Sequence, residues 1–550
     1  MRNQRRQPRA DTVASVGFES NTESSILSWL VRSVTILAAV SVLAGTAAAQ
    51  TTSAAEDERK ITIAAITDFH GHIENGRWVG ERFEKAEEYN PGNTVLVSAG
   101  DLVGGSPYES GSQRDEPTLA MARAWGLGIS AMGNHELDRG VNDFGERISK
   151  PENHIDWLSA NIRRTGEFYR LHDYTIRIVN GKRIAFVGAV TDGLGSVLSR
   201  SIMDDVHMDG KAIDQVNRVA DRLSDGDERN GEADAVVALI HEDADVIARS
   251  PIGLDANVDL VYAGHTHAVK TGRHTRSGAP IIEAGCFGRQ VAVQDLLVTG
   301  SGRDARVTVA DAFGSPVVGM SAGDGDPARI INASHTANTS LERVDAIIRR
   351  ADAAARRSGD LVVSSVDEPY DKTTPKGRDH LETLIADAAL DGARRTTTGA
   401  RASVGFVNPG SLRTRALDLD GDGFVTVREA KDMMALQFDN AVTTLTGAQL
   451  RHAIAQQWHR RDGSWRDGHL GISSNVRYDM RFDDDGPTVE HLSVDGRPVS
   501  DGERIVVAGN TFLLTGGDGY TAFLDGTGYA DTHVPYAQTL IDHLKSRGGD

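Results

Sequence analysis

From residue 61 onward the chain alternates between short apolar runs and longer amphipathic stretches. The runs at 61–67, 94–98, 129–132, 236–240, 258–262 and 280–283 are nearly continuous in Val, Ile, Leu and Ala, the pattern of strands buried on both faces. Stretches with helical periodicity, such as 118–125 and 213–223, lie between them. Two further strands, 174–179 and 183–190, flank Asn180-Gly181, a pair suited to a two-residue hairpin because both central positions of that turn need positive φ. This alternation predicts an α/β layered domain that closes near residue 319.

Residues 320–335 make a poor core segment. A charged, alanine-rich helix is predicted over 338–357, with Leu341, Val344, Ile347 and Ile348 on one side and Gly359 as its stop. A polar-faced helix between two globular halves reads as a connector. Beyond it, strands at 404–408 and 503–509 and helices at 379–390 and 447–456 predict a second α/β domain. The organisation is therefore a leader over 1–49, a first domain over 58–320, a linker with its connecting helix over 321–360 and a second domain over 361–545.

The leader assignment rests on the apolar run 34–44, preceded by Arg32 and the basic cluster Arg2 to Arg9 and followed by Ala47-Ala48-Ala49. That run is shorter than the roughly 20 residues that span a bilayer, and its small-residue tail fits a signal-peptidase site. Cleavage would leave a secreted chain, extracellular, periplasmic or at the cell surface, with no stable membrane span. An uncleaved anchor starting near Ile26 is the alternative, and Arg32 interrupts it. Composition narrows the partners. The 550 residues carry 59 Lys+Arg against 78 Asp+Glu, a net charge of −19, which argues against a nucleic acid polymer. One cysteine, Cys286, excludes an intramolecular disulfide and a cysteine-based zinc site, and it reads as a small buried residue rather than a nucleophile. A phosphate-bearing ligand would need local positive charge, because fields are screened over roughly 8 Å. Oligomeric state is left open.

Residues of metal-ligand type cluster just past the predicted strands: Asp68 and His70 in TDFHGH, Asp101 in SAGDLVGGSP, Asn134 and His135 in MGNHELD, His241 in LIHED, and His265 and His267 in AGHTHA. Ligands of open α/β sheets gather outside the carboxyl ends of strands, so these segments can converge on one crevice. Mixed His, carboxylate and Asn donors suit Mn, Zn, Fe or Co, and there are too many for one ion. Two divalent ions bridged by one carboxylate would use them all and would support hydroxide attack at phosphorus.

In this order, these motifs resemble the calcineurin-like metallophosphoesterases. With the second domain, the chain is similar to the secreted bacterial 5′-nucleotidase/UDP-sugar hydrolases. The resemblance implies a layered β-sandwich flanked by helices, followed by an α/β substrate-binding domain. It implies Asp68, His70 and His267 on one ion, Asn134, His241 and His265 on the other, and Asp101 as the bridge. It also implies that His135 stabilises the transition state or protonates the leaving oxygen, with Asp138 orienting its ring. The implied substrate is a small nucleotide. In the second domain VNPGSLR offers Arg413 for phosphate and Asn408 as a further substrate contact, QFDN offers Phe438 and Asn440, and NTFLLTGGDGY offers Phe512 and Asp518. Two phenyl rings can sandwich a base, and a carboxylate can accept from ribose hydroxyls.

Departures from the family pattern accompany the likeness. Arg378 fits the second of two expected arginines while Thr374 stands at the first. Leu381-Glu382-Thr383 replaces Leu-Gly-Asn, Pro409 replaces a glycine, and Gln437 and Asp439 replace Pro and Gly around Phe438. Readings that remain open are hydrolysis of 2′,3′-cyclic nucleotides or nucleotide sugars, a sulfate-thiol esterase, and a catalytically dead surface binding protein. Asp418, Asp420, Asp422, Phe424 and Glu429 additionally match an EF-hand loop, with Gly423 at its sixth position, and predict a Ca2+ site without an entering helix.

Overall fold

In β1 (Arg59–Ile66) successive side chains enter opposite cores: Ile61, Ile63 and Ala65 join one apolar cluster, while Ala64 and Ile66 join another. A strand buried on both sides needs a layer above and a layer below it, and that requirement sets the architecture of the first domain. The computed structural model describes residues 58–321, 339–366, 370–461, 464–483 and 486–547. The signal-peptide reading of 1–49 and most of the predicted linker ahead of its helix lie outside the described residues.

One sheet contains β1, β2 (Thr94–Ser98), β3 (Ile129–Ala131) and β4 (Asp156–Leu158) in parallel. The second contains β5 (Tyr174–Val179), β6 (Lys182–Val190), β7 (Ala235–His241), β8 (Leu260–Ala263), β9 (Val269–Arg273) and β10 (Pro280–Ala284) in the order β5-β6-β7-β8-β10-β9, with β6, β7, β8 and β10 parallel. β11 (Gln290–Thr299) returns to the first sheet antiparallel to β1, and β12 (Arg306–Asp311) and β13 (Val317–Gly319) pair with it. The β5–β6 hairpin turns at Asn180 and Gly181, φ 50° and 77°, as its dipeptide predicts.

Ile63, Val97, Phe186, Leu239 and Tyr262 fill the space between the sheets. Helices α1 (Gly76–Tyr89) and α2 (Glu116–Trp125) cover the outer face of the first sheet, and α3 (Ala212–Arg222) covers that of the second. The connecting helix α4 (Thr339–Gly359) does not stand free. Val344 and Ala351 enter the core beneath α1 and α2, and Arg77 pairs with Asp345 at 2.5 Å.

In the second domain α5 (Pro375–Arg394) packs on a five-stranded sheet of β14 (Val404–Val407), β15 (Asp439–Thr446), β16 (Gly471–Ile472), β17 (Arg504–Asn510) and β18 (Thr527–Pro535), ordered β16-β14-β17-β15-β18. Helix α6 (Val427–Met433) touches the first domain: Asp432 Oδ1 accepts the Tyr108 N–H at 2.6 Å, and Arg428 pairs with Glu109. Helices α7 (Gly447–Ala455) and α8 (Tyr536–Arg547) complete two apolar cores that the first domain does not share.

Candidate functional site

The parallel strands deliver polar residues at their carboxyl ends. Asp68 and His70 follow β1, Asp101 follows β2, Asn134 and His135 follow β3, His241 ends β7, and His265 and His267 follow β8. Asp68, His70, Asp101, His265 and His267 all have positive φ, between 47° and 76°. Such backbone is costly for residues with a Cβ and is concentrated at functional sites. Gly133 permits the closest approach, because a Cβ there would lie 2.2 Å from Asp101 Oδ1.

The side chains form two adjoining sets. Asp68, His70 and His267 each present a ligand atom within 4.8 Å of the others, and so do Asp101, His241 and His265. One oxygen of Asp101 faces both sets, 3.0 Å from His241 Nε2 and 3.6 Å from His70 Nε2. Its other oxygen accepts the His135 N–H at 2.8 Å. His70 donates from Nδ1 to the Gly104 carbonyl at 2.7 Å and His241 from Nδ1 to the Ala99 carbonyl at 2.9 Å. A carbonyl only accepts, so each Nδ1 carries a proton and each Nε2 is turned inward as the ligand atom. At His241 burial works to lower the pKa, but Asp101 outweighs it and raises the ring to about 10, so its Nε2 holds a second proton toward Asp101 that a bound cation would displace. The Nε2 atoms of His70 and His267 are 3.1 Å apart. Asn134 Oδ1 is buried with no partner. Facing lone pairs and an orphaned amide oxygen fit divalent cations, and the mixed donors fit Mn, Zn, Fe or Co.

The electrostatics match that chemistry. Burial holds His70 well below the ordinary imidazole value and takes His265 to about 4 and His267 to about 3, so these rings are neutral and able to ligate. Burial raises Asp68 to about 7. At Asp101 burial opposes the charge, but His241 and His135 outweigh it and hold the carboxylate well below its usual range. At His135 burial works to lower the pKa, and Asp138 and Asp101 outweigh it to raise it. His135 Nδ1 lies 2.9 Å from Asp138.

Two nearby residues escaped the sequence reading. Glu136, buried inside the GNHE segment, accepts the N–H groups of Asp101 at 3.1 Å, Leu102 at 2.8 Å and Gly133 at 2.7 Å. Its place beside His135 was the available signal. Phe287 packs on the rings of His70 and His267, and nothing in its flanking residues signals that contact. Cys286 is half-buried in the turn after β10 rather than within the sheet, and burial pushes its thiol up to about 12. Asp243 caps the following helix at Asp245 and pairs with Lys270 at 2.6 Å.

The second domain faces this set across a cleft of about 310 Å³ lined by Asp101, His135, His267, Arg413, Phe512 and Asp518, among others. Arg413 Nη2 is buried and unpartnered, and burial lowers the guanidinium pKa, so an anion would satisfy it. Asn408 donates to Asp518 at 2.7 Å and accepts from Ser411 and Asn510, so it holds Asp518 at the cleft wall. Phe438 and Phe512 also line the cleft, parallel within 6° with centroids 5.2 Å apart. A base between two rings needs about 7 Å, two contacts of ~3.5 Å. The sandwich expectation is therefore corrected: here the apolar faces bury one another.

Two substrate assignments are also corrected. Asn440 is fully buried inside the domain, donating to the Ala389 carbonyl at 2.9 Å and tying β15 to α5. Arg378 is absent from the cleft lining and is occupied by the Lys372 carbonyl at 3.0 Å and His469 Nε2 at 2.6 Å. Thr374, at the expected position of the other arginine, caps α5 through the Gly377 N–H. In the acidic loop Asp418, Asp420 and Asp422 converge, with ligand atoms within 4.8 Å of one another. Glu429 does not join them: it accepts from Leu419 N, Thr426 N and Thr426 Oγ1 as the cap of α6. Phe424 opens a short strand that pairs with Ser365.

Inward-facing imidazoles and carboxylates at the strand ends of a layered sandwich, opposite a half-buried arginine whose Nη2 has no partner, define a metal-dependent phosphoester hydrolase. The calcineurin-like phosphoesterase family model matches residues 61–269 and the 5′-nucleotidase C-terminal domain model matches residues 361–525, so the chain carries these two domains in tandem. It is 25% identical to the cell wall protein Lmo0130 of Listeria monocytogenes over 90% of this chain and 68% of that protein. It is 24% identical to the snake venom 5′-nucleotidase of Naja atra, over 84% and 91% of the two chains. Other relatives are longer, and the chain spans 23% of one and 38% of another. A 5′-nucleotidase precursor from Thermus thermophilus shares the fold with a TM-score of 0.65 at 17% identity, over 89% of this chain and 97% of that one.

Proposed function

We propose that the chain is an exported dinuclear-metal phosphohydrolase that releases phosphate from 5′-nucleotides. The observation that carries this reading is the single cleft in which the ligand set of the first domain faces Arg413, Phe438, Phe512 and Asp518 of the second. Asp68, His70 and His267 would hold one divalent ion, Asn134, His241 and His265 the other, and Asp101 both. Two such ions supply Lewis acidity that neutralises phosphate charge and activates water. Arg413 binds a phosphate oxygen, Asp518 accepts from the ribose, and the base stacks on the outer face of Phe438, which Phe512 backs. His135, its Nδ1 held by Asp138, delivers a proton from Nε2 to the leaving oxygen. Export is supported by the leader pattern and by the cell-wall and venom relatives.

The test is hydrolysis of AMP, UDP-glucose, ATP, 2′,3′-cyclic AMP and bis-p-nitrophenyl phosphate by residues 50–550, with Mn or Zn restored after chelation. Fastest turnover of AMP supports the proposal. Preference for the cyclic or sugar nucleotide replaces it with the diesterase reading. No turnover of any member, or full activity in Asp101→Ala, overturns it.

We further propose that Asp418, Asp420 and Asp422 take Ca2+, supported by their convergence and by the positive φ of Gly421 and Gly423. After chelation, added calcium should raise the thermal midpoint of the wild type and not of Asp420→Asn. Equal responses would sink the site.

A further inference from the structure

The turn from Gly285 to Arg289 carries the chain from β10 in one sheet to β11 in the other. Arg289 N–H donates to the Cys286 carbonyl at 3.1 Å, and the two residues at the corner, Phe287 and Gly288, have φ 61° and 66°. A turn with both central φ positive is built from Gly, Asn and Asp, and an aromatic there is an outlier. The backbone is pinned in this state, with Phe287 N–H on the Asp68 carbonyl at 2.7 Å and the Phe287 carbonyl accepting from Asn75 at 2.8 Å.

Core packing does not account for the side chain, because Phe287 is only half-buried. Its ring instead meets imidazoles. It stands edge-to-face on His267, centroids 5.1 Å apart at 75°, and on His70, 5.9 Å apart at 67°. His72 lies against it at 4.1 Å and the Arg289 guanidinium at 5.5 Å. Ligating histidines are normally oriented by a hydrogen bond from the other ring nitrogen. His70 and His241 have that bond, to Gly104 and Ala99. His267 Nε2 faces His70 Nε2 at 3.1 Å, and no protein group among the described residues bonds its Nδ1.

We propose that Phe287 is a positioning residue that replaces the missing hydrogen bond of His267, its ring fixing the imidazole so that Nε2 faces the position shared by Asp68 and His70. The strained corner sets that ring, and its pin to the Asp68 carbonyl couples it to a second ligand of the same ion. The inference rests on the two-ion reading above.

Metal-stripped full-length wild type, Phe287→Leu, Phe287→Tyr, His267→Ala and the His267→Ala/Phe287→Leu double variant are titrated with Mn or Zn against a chromophoric chelator. Phe287→Leu should weaken one of two sites about tenfold, within the range lost with outer partners of metal ligands. The other site should stay within about twofold, Phe287→Tyr should restore the loss, and the double variant should bind no worse than His267→Ala. The metal-free thermal midpoint should match wild type. Unchanged affinities in Phe287→Leu overturn the proposal, as does equal weakening of both sites with a lowered metal-free midpoint, the sign of general packing. Wild type that takes up no ion overturns the two-ion reading itself.

Discussion

Asp138 lies 2.9 Å from His135 Nδ1 and so decides which imidazole nitrogen meets the cleft. Asp138→Asn keeps the shape and removes that control. It should lower kcat by roughly 10²–10⁴-fold, the range for positioned acid–base groups, with KM nearly unchanged; a loss confined to KM would contradict the assignment. Glu382, buried on α5 where the family pattern has a small residue, makes a different prediction. Burial raises its carboxyl to about 8, whereas an unfolded glutamate titrates near 4.3. Across that window the folded state keeps a proton that the unfolded state has lost, so stability falls as pH rises from about 4.3 to about 8 and levels off above it. Glu382→Gln imitates the neutral form. It should raise the thermal midpoint clearly at pH 8.5 and little at pH 5, and equal shifts at both values would refute the buried-proton account.

Elements differ in how openly they declare themselves. Buried strands such as β1 and β7 are legible because both faces require apolar residues. β4 is only three residues long and β9 is an exposed edge strand, so neither leaves a run to read. Motif loops are legible for another reason: Asp68, Asp101 and His241 must each follow a strand closely to reach one point. The phenyl pair was legible as two residues and not as a distance, because the 5.2 Å stack is set by two segments 74 positions apart in the chain. Phe512→Leu tests whether the pair serves a base. Stacking is worth ~1–3 kcal/mol, so KM for AMP should rise by about tenfold or more while turnover of bis-p-nitrophenyl phosphate stays within twofold. Equal losses on both substrates would place Phe512 in packing instead.

Over the whole molecule, the apolar cores of the two domains are separate, and the domains meet through the cleft and through α6 on the Tyr108 turn. Ions bound only by residues of the first domain stabilise only that domain directly, each by about 2.7 kcal/mol at a hundredfold excess over its Kd. Chelation should therefore lower one calorimetric transition and leave the second nearly in place, and a joint shift would show that the domains unfold as one. The charge of −19 is compatible with an anionic substrate because it belongs to the whole chain, whereas the cleft wall carries the unpaired guanidinium of Arg413.

Layer order, strand-end chemistry and the ligand set could be read from residue patterns because burial periodicity and short ligand spacings are local constraints. The fates of Arg378, Asn440 and Glu429 could not. Each is a polar side chain whose partner, His469, Ala389 or Leu419, is brought to it by folding and holds it away from the cleft or the acidic loop, even at Asn440, whose Oδ1 is left without a partner. Phe287 shows the same rule from the other side: its position beside His267 depends on a turn between two sheets, and nothing in its flanking residues signals that contact.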